Sequence, residues 1–508
     1  MKIKHIFYKP VIVSLLINIV IFIVLNFISY SKFSCNIDIM MQTLLCNLTG
    51  VEGTSYVLFS NIFLMKIVKT LYEICPTISW YMILQVVVCF GSLVALGTNY
   101  LSRKNNSMHK LVFFVFAIFV GYECYIYPSY MKSSLLLCFS MLQILISIEK
   151  FEKRNIVKLF GIIMGIILSG MISTVGFGIG VFMSFLVFII QEIFRKQLGR
   201  RYICILIVSF ISIVCVCLVN YANWKVYAGK EEQWQTMREY RFAIEKLEVF
   251  GYPEYQENFA DDIGMEEEGY TYLKEYDEYL STGNDGFDTL SKISKYKVPF
   301  NFSNVIEYFR TVPIRLVKVG LMYLLLIMCI ALVGSNEKDK KLKVAVAVLW
   351  VILLYMFAYI FNAWEARMTQ MIVFVPVSFW IMSNLGDSFE IDVRESIAFL
   401  MVLGVVLYNN FSGDIITSVE EKTMQELVSE NVSTDCLSAI NLNRILKQYS
   451  AYVPYEANLL SDKDIVIING NYGIYKMYND YMYKEEYRDI PIWWCGIEMN
   501  QEIYRIEK

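Results

Sequence analysis

The chain has 508 residues, 56% of them hydrophobic, with a formal net charge of −3 and a mean hydropathy of +0.47. That apolar excess excludes a single soluble domain and points to an α-helical polytopic membrane protein. The slightly acidic balance argues against nucleic acid, which calls for a basic face, and only two histidines argue against a His-based metal site.

Lys2, Lys4 and Lys9 precede the first apolar run, Val11–Ser29. It is long and lacks a small-residue cleavage site, so a retained span is expected rather than a signal peptide. Further runs follow at 80–97, 111–127, 131–148, 157–172, 175–193, 202–221, 312–333, 343–361, 368–384 and 395–411, about eleven spans in all, each near the length that a hydrocarbon core demands of a helix. The stretch 157–193 is broken only by Ser173-Thr174 and the glycines Gly176, Gly178 and Gly180. It reads either as two short spans with a tight turn or as one span with a re-entrant segment.

Between the first two spans lies a loop, 30–79, whose Asp38 is the only acid in the first 51 residues. A Gly-rich turn (Gly50, Gly53) leads to Tyr56–Ile74, with Lys66, Lys69, Thr70 and Glu73 on one face and apolar residues elsewhere. That pattern belongs to a helix lying in the membrane interface.

Lys and Arg set the orientation. With the N-terminus cytoplasmic, the short inner loops hold Arg103, Lys104 and Lys110, then Lys150, Lys153, Arg154 and Lys158, then Arg195, Lys196, Arg200 and Arg201, then Lys338, Lys340, Lys341 and Lys343. The short outer turns hold only Lys132 and Arg367; the acidic loop Gly386–Glu395 is the exception. A multi-pass cell-membrane protein is predicted, with a membrane domain over 1–411 and an extracytoplasmic C-terminal domain over 412–508. The loops 30–79 and 222–311 and the turn Asn362–Met368 face outward as well. The inner loops leave no room for a nucleotide-binding domain, and no phosphate loop ending in Gly-Lys-Ser/Thr is present.

The loop 222–311 carries 18 Asp and Glu against 10 Lys and Arg, interleaved with aromatics. Glu231–Phe250 reads as a helix with Trp234, Met237, Ala243, Ile244 and Leu247 near one face. The loop is either a solvated cap or a lid over a carbohydrate groove, since aromatic faces stack on sugar rings. Arg238 and Arg241 on that helix contact a donor phosphate or an acidic glycan, or else pair with neighbouring Glu residues. Asp261-Asp262 leave a divalent cation as an option. In the tail, Val419–Glu430 and Thr434–Tyr452 read as helices and 464–470 as a buried strand, giving a small α/β domain. Cys35–Cys46 and Cys436–Cys495 are candidate outer-face disulfides.

Asn36-Ile37-Asp38, then Gly50, Ser60-Asn61, Leu71-Tyr72, Pro76 and Trp80-Tyr81, together with span count and orientation, resemble the first outer loop of the C-superfamily (GT-C) integral-membrane glycosyltransferases. The bacterial branch that modifies surface polymers is the most similar. Where that family carries one or two acids, often adjacent or spaced by one, this motif has one Asp, Asp38, with Asn36 and Ile37 before it. The resemblance implies an inverting transfer from a polyprenyl-phosphate sugar donor to a cell-surface glycan acceptor. Asp38 would be the general base, and cations would receive the lipid-phosphate leaving group. Arg367, Lys132 and Arg310 are the candidates for that charge, with Arg238, Arg241 and Trp234 on the acceptor or lid side. No metal site or certain cofactor is implied. Headgroup anchoring, or pairing of Arg367 with Glu365, is the simpler fate of these cations.

Two other classes stay open. A polysaccharide polymerase or ligase of O-antigen type shares the span count and large outer loop; the absence of an outer-segment His counts against the ligase. A transporter or flippase would place charge at mid-depth and repeat internally. No charge is expected deep inside a predicted span, and no two-fold repeat is visible.

Overall fold

The computed structural model describes residues 10–28, 31, 33–34, 38, 41–42, 45, 55–57, 59–76, 78–104, 106–148, 156–195, 200–228, 243, 247, 252–256, 258–263, 266–267, 270, 291–296, 320–334, 339–360, 367–386, 404, 466–467, 492–495 and 503–505. It divides into two compact units. One comprises Met1–Ser31, Leu84–Tyr221 and Phe300–Ile415; the other comprises Lys32–Ile83, Ala222–Pro299 and Ile416–Lys508. The division cuts the chain between Ile415 and Ile416 and also groups the first and large loops with the tail.

The helices are α1 (Pro10–Ile28), α2 (Ile62–Ile74), α3 (Trp80–Leu101), α4 (Ser107–Gly121), α5 (Tyr130–Ile146), α6 (Ile156–Ile172), α7 (Thr174–Arg195), α8 (Arg200–Ala228), α9 (Phe259–Ile263), α10 (Gly320–Gly334), α11 (Lys340–Ile360) and α12 (Arg367–Ser383). A helix stands at every predicted span except 395–411, which lies outside the described residues but for residue 404. Among the described residues, five helical segments are long and apolar enough to cross a membrane: Pro10–Ile28, Trp80–Leu101, Ser107–Ile126, Thr174–Glu192 and Tyr202–Val226. The chain is an α-helical membrane protein by that measure. On α8, Ile203, Ile207, Phe210, Ile211 and Leu218 are exposed, a surface suited to hydrocarbon and costly in water.

In the first unit α5 packs along both α6 and α7, α12 packs on α10, α11, α4 and α7, and α1 packs on α4. The stretch 157–193 is resolved as two helices separated by Ser173 alone. Ser173 caps the second, its Oγ accepting from the Gly176 N–H at 3.1 Å. Ser134 ties α5 to both helices, its Oγ lying 2.8 Å from the Ser169 carbonyl and 2.9 Å from that of Ser173. Small residues permit the approach: a Cβ at Gly176 would lie 2.5 Å from the Met131 carbonyl, and one at Gly180 would lie 2.7 Å from Cys138 Cβ. This is the small-residue packing by which helices associate in lipid. Leu142, Leu145, Ile162, Ile166, Phe177 and Phe188 fill the space beyond.

The α4 helix ends in one wider turn, a π-helical segment from Tyr122 to Ile126. It halts there because Pro128 has no N–H to continue the ladder. Pro376 lies inside α12 and is buried, so the Ile372 carbonyl lacks the helical donor it would meet in an unbroken ladder.

In the second unit α2 is capped by Asn61, whose side chain accepts from the Phe63 N–H, while Asn223 Oδ1 accepts from the Ile62 N–H at 2.9 Å. Its inner face buries Ile62, Leu64, Met65, Val68 and Tyr72; Phe63, Ile67 and Ile74 are exposed. A small aromatic cluster forms around Phe259, with the rings of Tyr296, Tyr270 and Tyr255 centred 4.5, 5.1 and 5.4 Å away. The strands β1 (Val466–Ile467), β2 (Ile492–Cys495) and β3 (Ile503–Arg505) form a three-stranded sheet, parallel between β1 and β2 and antiparallel between β2 and β3. The first strand falls within the predicted 464–470. The predicted tail helices and both cysteine pairings lie outside the described residues.

Candidate functional site

Three charged side chains converge in the first unit, from the π-helical turn and the first turns of α5 and α12. Glu123, in the π-helical turn, is 5% exposed, and Lys132 in α5 is 1% exposed. Lys132 Nζ lies 3.1 Å from Glu123 Oε2, and the first residue of α12, Arg367, places Nη1 2.8 Å from Glu123 Oε1. One carboxylate thus answers two cations, one on each oxygen. Fully ionised, the group carries one net positive charge.

The two cations are not equivalent. An ammonium has three N–H donors. Those of Lys132 reach Glu123 Oε2, the Glu123 carbonyl at 3.2 Å and the Tyr127 carbonyl at 2.9 Å. These carbonyls sit at the end of the α4 segment, where helical partners run out. Lys132 is therefore a cap and a counter-charge, with its donors engaged inside the protein. Arg367 has five N–H donors and, among the described residues, gives one to Glu123. Its side chain is 35% exposed, and the guanidinium carbon stands 3.4 Å over the centre of the Tyr127 ring. Ring and carboxylate fix the plane of the fork and leave donors for a ligand.

Glu123, which the sequence reading does not nominate, lies inside the predicted span 111–127, near its end. Its signal was present as an acid four residues from the end of an apolar run, with Lys132 nine residues on.

Asp38 belongs to the second unit. The sequence suggests a carboxylate at the bilayer surface; the structure buries it, at 0% exposure. The Tyr81 hydroxyl, in the first turn of α3, donates to its Oδ1 at 2.8 Å. Tyr72 of α2 holds that same turn, its hydroxyl accepting from the Tyr81 N–H at 3.1 Å. Nearby, Ser79 Oγ donates to Gln42 Oε1 at 2.9 Å, and Phe33 packs 6.0 Å from the Tyr81 ring. Leu71-Tyr72 and Trp80-Tyr81 thus include the residues that brace Asp38, a connection invisible in their spacing.

Trp234, Arg238, Arg241 and Arg310 lie outside the described residues. Asp262 accepts from the Tyr296 hydroxyl and from Asn258 Nδ2. Among the described residues no three His, Cys, Asp or Glu side chains gather as a metal site would need. No protein-family model, curated protein or solved structure matches the chain.

Proposed function

We propose that this chain is a membrane glycosyltransferase that moves a sugar from a polyprenyl-phosphate donor to a cell-surface glycan, on the outer face and with inversion. The observation that carries the reading is the Arg367 guanidinium, braced by Glu123 and Tyr127, partly exposed, and stationed at the start of α12. Its planar fork matches the oxygens of a phosphate ester.

In this reaction the acceptor hydroxyl gives its proton to Asp38 as its oxygen bonds to the anomeric carbon. The bond from that carbon to the phosphate oxygen breaks, and its electron pair leaves with the lipid phosphate. Arg367 answers the charge that develops there. Lys132 contributes through its field and by holding Glu123. Asp38 and the Tyr81 hydroxyl that donates to it are the groups this reading assigns to the acceptor. The exposed Phe63, Ile67 and Ile74 on α2 suit a helix lying in the interface beside a lipid-borne donor. Full topology in this reading has about eleven spans, a cytoplasmic N-terminus and an outer tail.

The test compares wild type with Asp38→Asn and Arg367→Ala at matched protein level. Both substitutions are expected to abolish release of polyprenyl phosphate from a polyprenyl-phosphate sugar by the purified full chain with its acceptor. Retained release in Asp38→Asn removes Asp38 as the base. A transporter is the second reading, favoured by the buried ion group at the end of a candidate span; it predicts flux across sealed vesicles without breakage of the sugar–phosphate bond.

A further inference from the structure

We propose that Glu123 is the resident counter-ion of the anion site, holding Arg367 until an incoming phosphate ester takes its place. The proposal rests on the reading of Arg367 as the donor-phosphate group. It adds a positioning residue that the sequence pattern did not nominate.

The argument is one of charge conservation in a buried place. Removing one partner of a buried ion pair ordinarily strands the other. Here it does not, because Glu123 divides its oxygens between two cations. If Arg367 turns to a ligand, Glu123 keeps Lys132, which keeps its bonds to the Glu123 and Tyr127 carbonyls. A neutral Glu123–Lys132 pair is left behind. Arg367, the accessible member at 35% exposure, pairs with the newcomer. A phosphodiester with one negative charge brings the whole site to neutrality, so neither state leaves a buried charge unanswered.

Geometry favours the same exchange. The Tyr127 ring lies under the guanidinium and holds its plane while the partner at its edge changes. Glu123 sits on a π-helical turn, an irregularity frequent at functional sites. That turn is anchored by Lys132 rather than by Arg367, so the frame stays fixed while Arg367 changes partner. Lys132 and Arg367 are the charged groups facing Glu123, and Cys124 and Tyr127 are its near titratable neighbours.

The experiment measures binding of polyprenyl monophosphate to the full chain in detergent by native mass spectrometry, with the phosphate-free polyprenol as control. Glu123→Gln keeps the shape and an acceptor oxygen but raises the site's charge by one. It is expected to bind the lipid phosphate about tenfold more tightly than wild type, the worth of one charge-assisted hydrogen bond no longer competing for Arg367, with the polyprenol unaffected. Arg367→Ala is expected to lose the preference for phosphate. Equal or weaker binding by Glu123→Gln, with Arg367→Ala impaired, overturns the counter-ion role and leaves the phosphate reading standing. Undiminished binding by Arg367→Ala overturns both. Should Glu123→Gln fail to fold, Glu123→Asp serves: one methylene shorter, it cannot span both cations, and tighter binding is again expected, with equal or weaker binding overturning the proposal.

Discussion

Tyr81 shows how much a single hydroxyl can matter. It donates to a carboxylate that is 0% exposed, and a hydrogen bond to a charged, buried acceptor contributes about 1.5–3 kcal/mol. Tyr81→Phe should therefore lower thermal stability by roughly that amount and depress sugar transfer without removing Asp38. A thermal melt beside a donor-release assay checks both effects, and an unchanged melt would show that the bond contributes nothing. Tyr270 offers a test in pH. Burial pushes its hydroxyl well above the ordinary tyrosine range, and its proton goes to the Pro253 carbonyl. The folded pKa is raised, so this stabilisation is complete below pH 10, near the unfolded value, and fades as pH climbs through the folded value. Limited proteolysis of the large loop should accelerate above that point in wild type, and Tyr270→Phe should lack the step.

Among elements, the contact of α5 with α7 depends on what is missing from two side chains. A methyl at Gly180 would meet Cys138 Cβ at 2.7 Å and the Leu135 carbonyl at 2.9 Å. Gly180→Val should cost about 1–3 kcal/mol by overpacking, read as a lower midpoint of unfolding in mixed detergent. The α2 helix makes a different prediction. Ile67 is 61% exposed and follows the exposed Lys66. A tryptophan introduced by Ile67→Trp should be quenched by lipids brominated near the headgroup and not by those brominated at the chain end. Quenching by neither would put the helix in water. That these stretches are helical is largely legible in the sequence, because apolar length and periodicity are local properties of the chain. The choice between a hairpin and a re-entrant segment at 157–193 was not legible. It turns on Ser173 capping one helix while Ser134 reaches across from another, a tertiary matter.

For the molecule as a whole, the Lys and Arg of the predicted inner loops are the basis of the proposed topology. Substituted cysteines at Lys340 and at Glu254, in a chain otherwise freed of reactive thiols, should label from opposite sides of intact cells, the second by an impermeant reagent. Labelling of both from outside would invert the proposed topology. The candidate site was half visible in the residues. Arg367 and Lys132 stand out in the sequence as lone cations in predicted outer turns, yet Glu123, which joins them, is 244 residues from Arg367 in sequence, and nothing in the spacing of charges announces a contact over that distance. Asp38 was noticed for its isolation, and its burial depends on the aromatic side chains gathered around it.

The missing rung at Pro376 has a mechanical meaning. Arg367 rides about two and a half turns ahead of it, on a stretch joined to the rest of α12 by a weakened ladder. A helix softened there pivots more readily than it stretches. Restoring that rung with Pro376→Ala is therefore expected to slow hydrogen exchange in the turns that carry Arg367, where Met368, Thr369 and Met371 are buried.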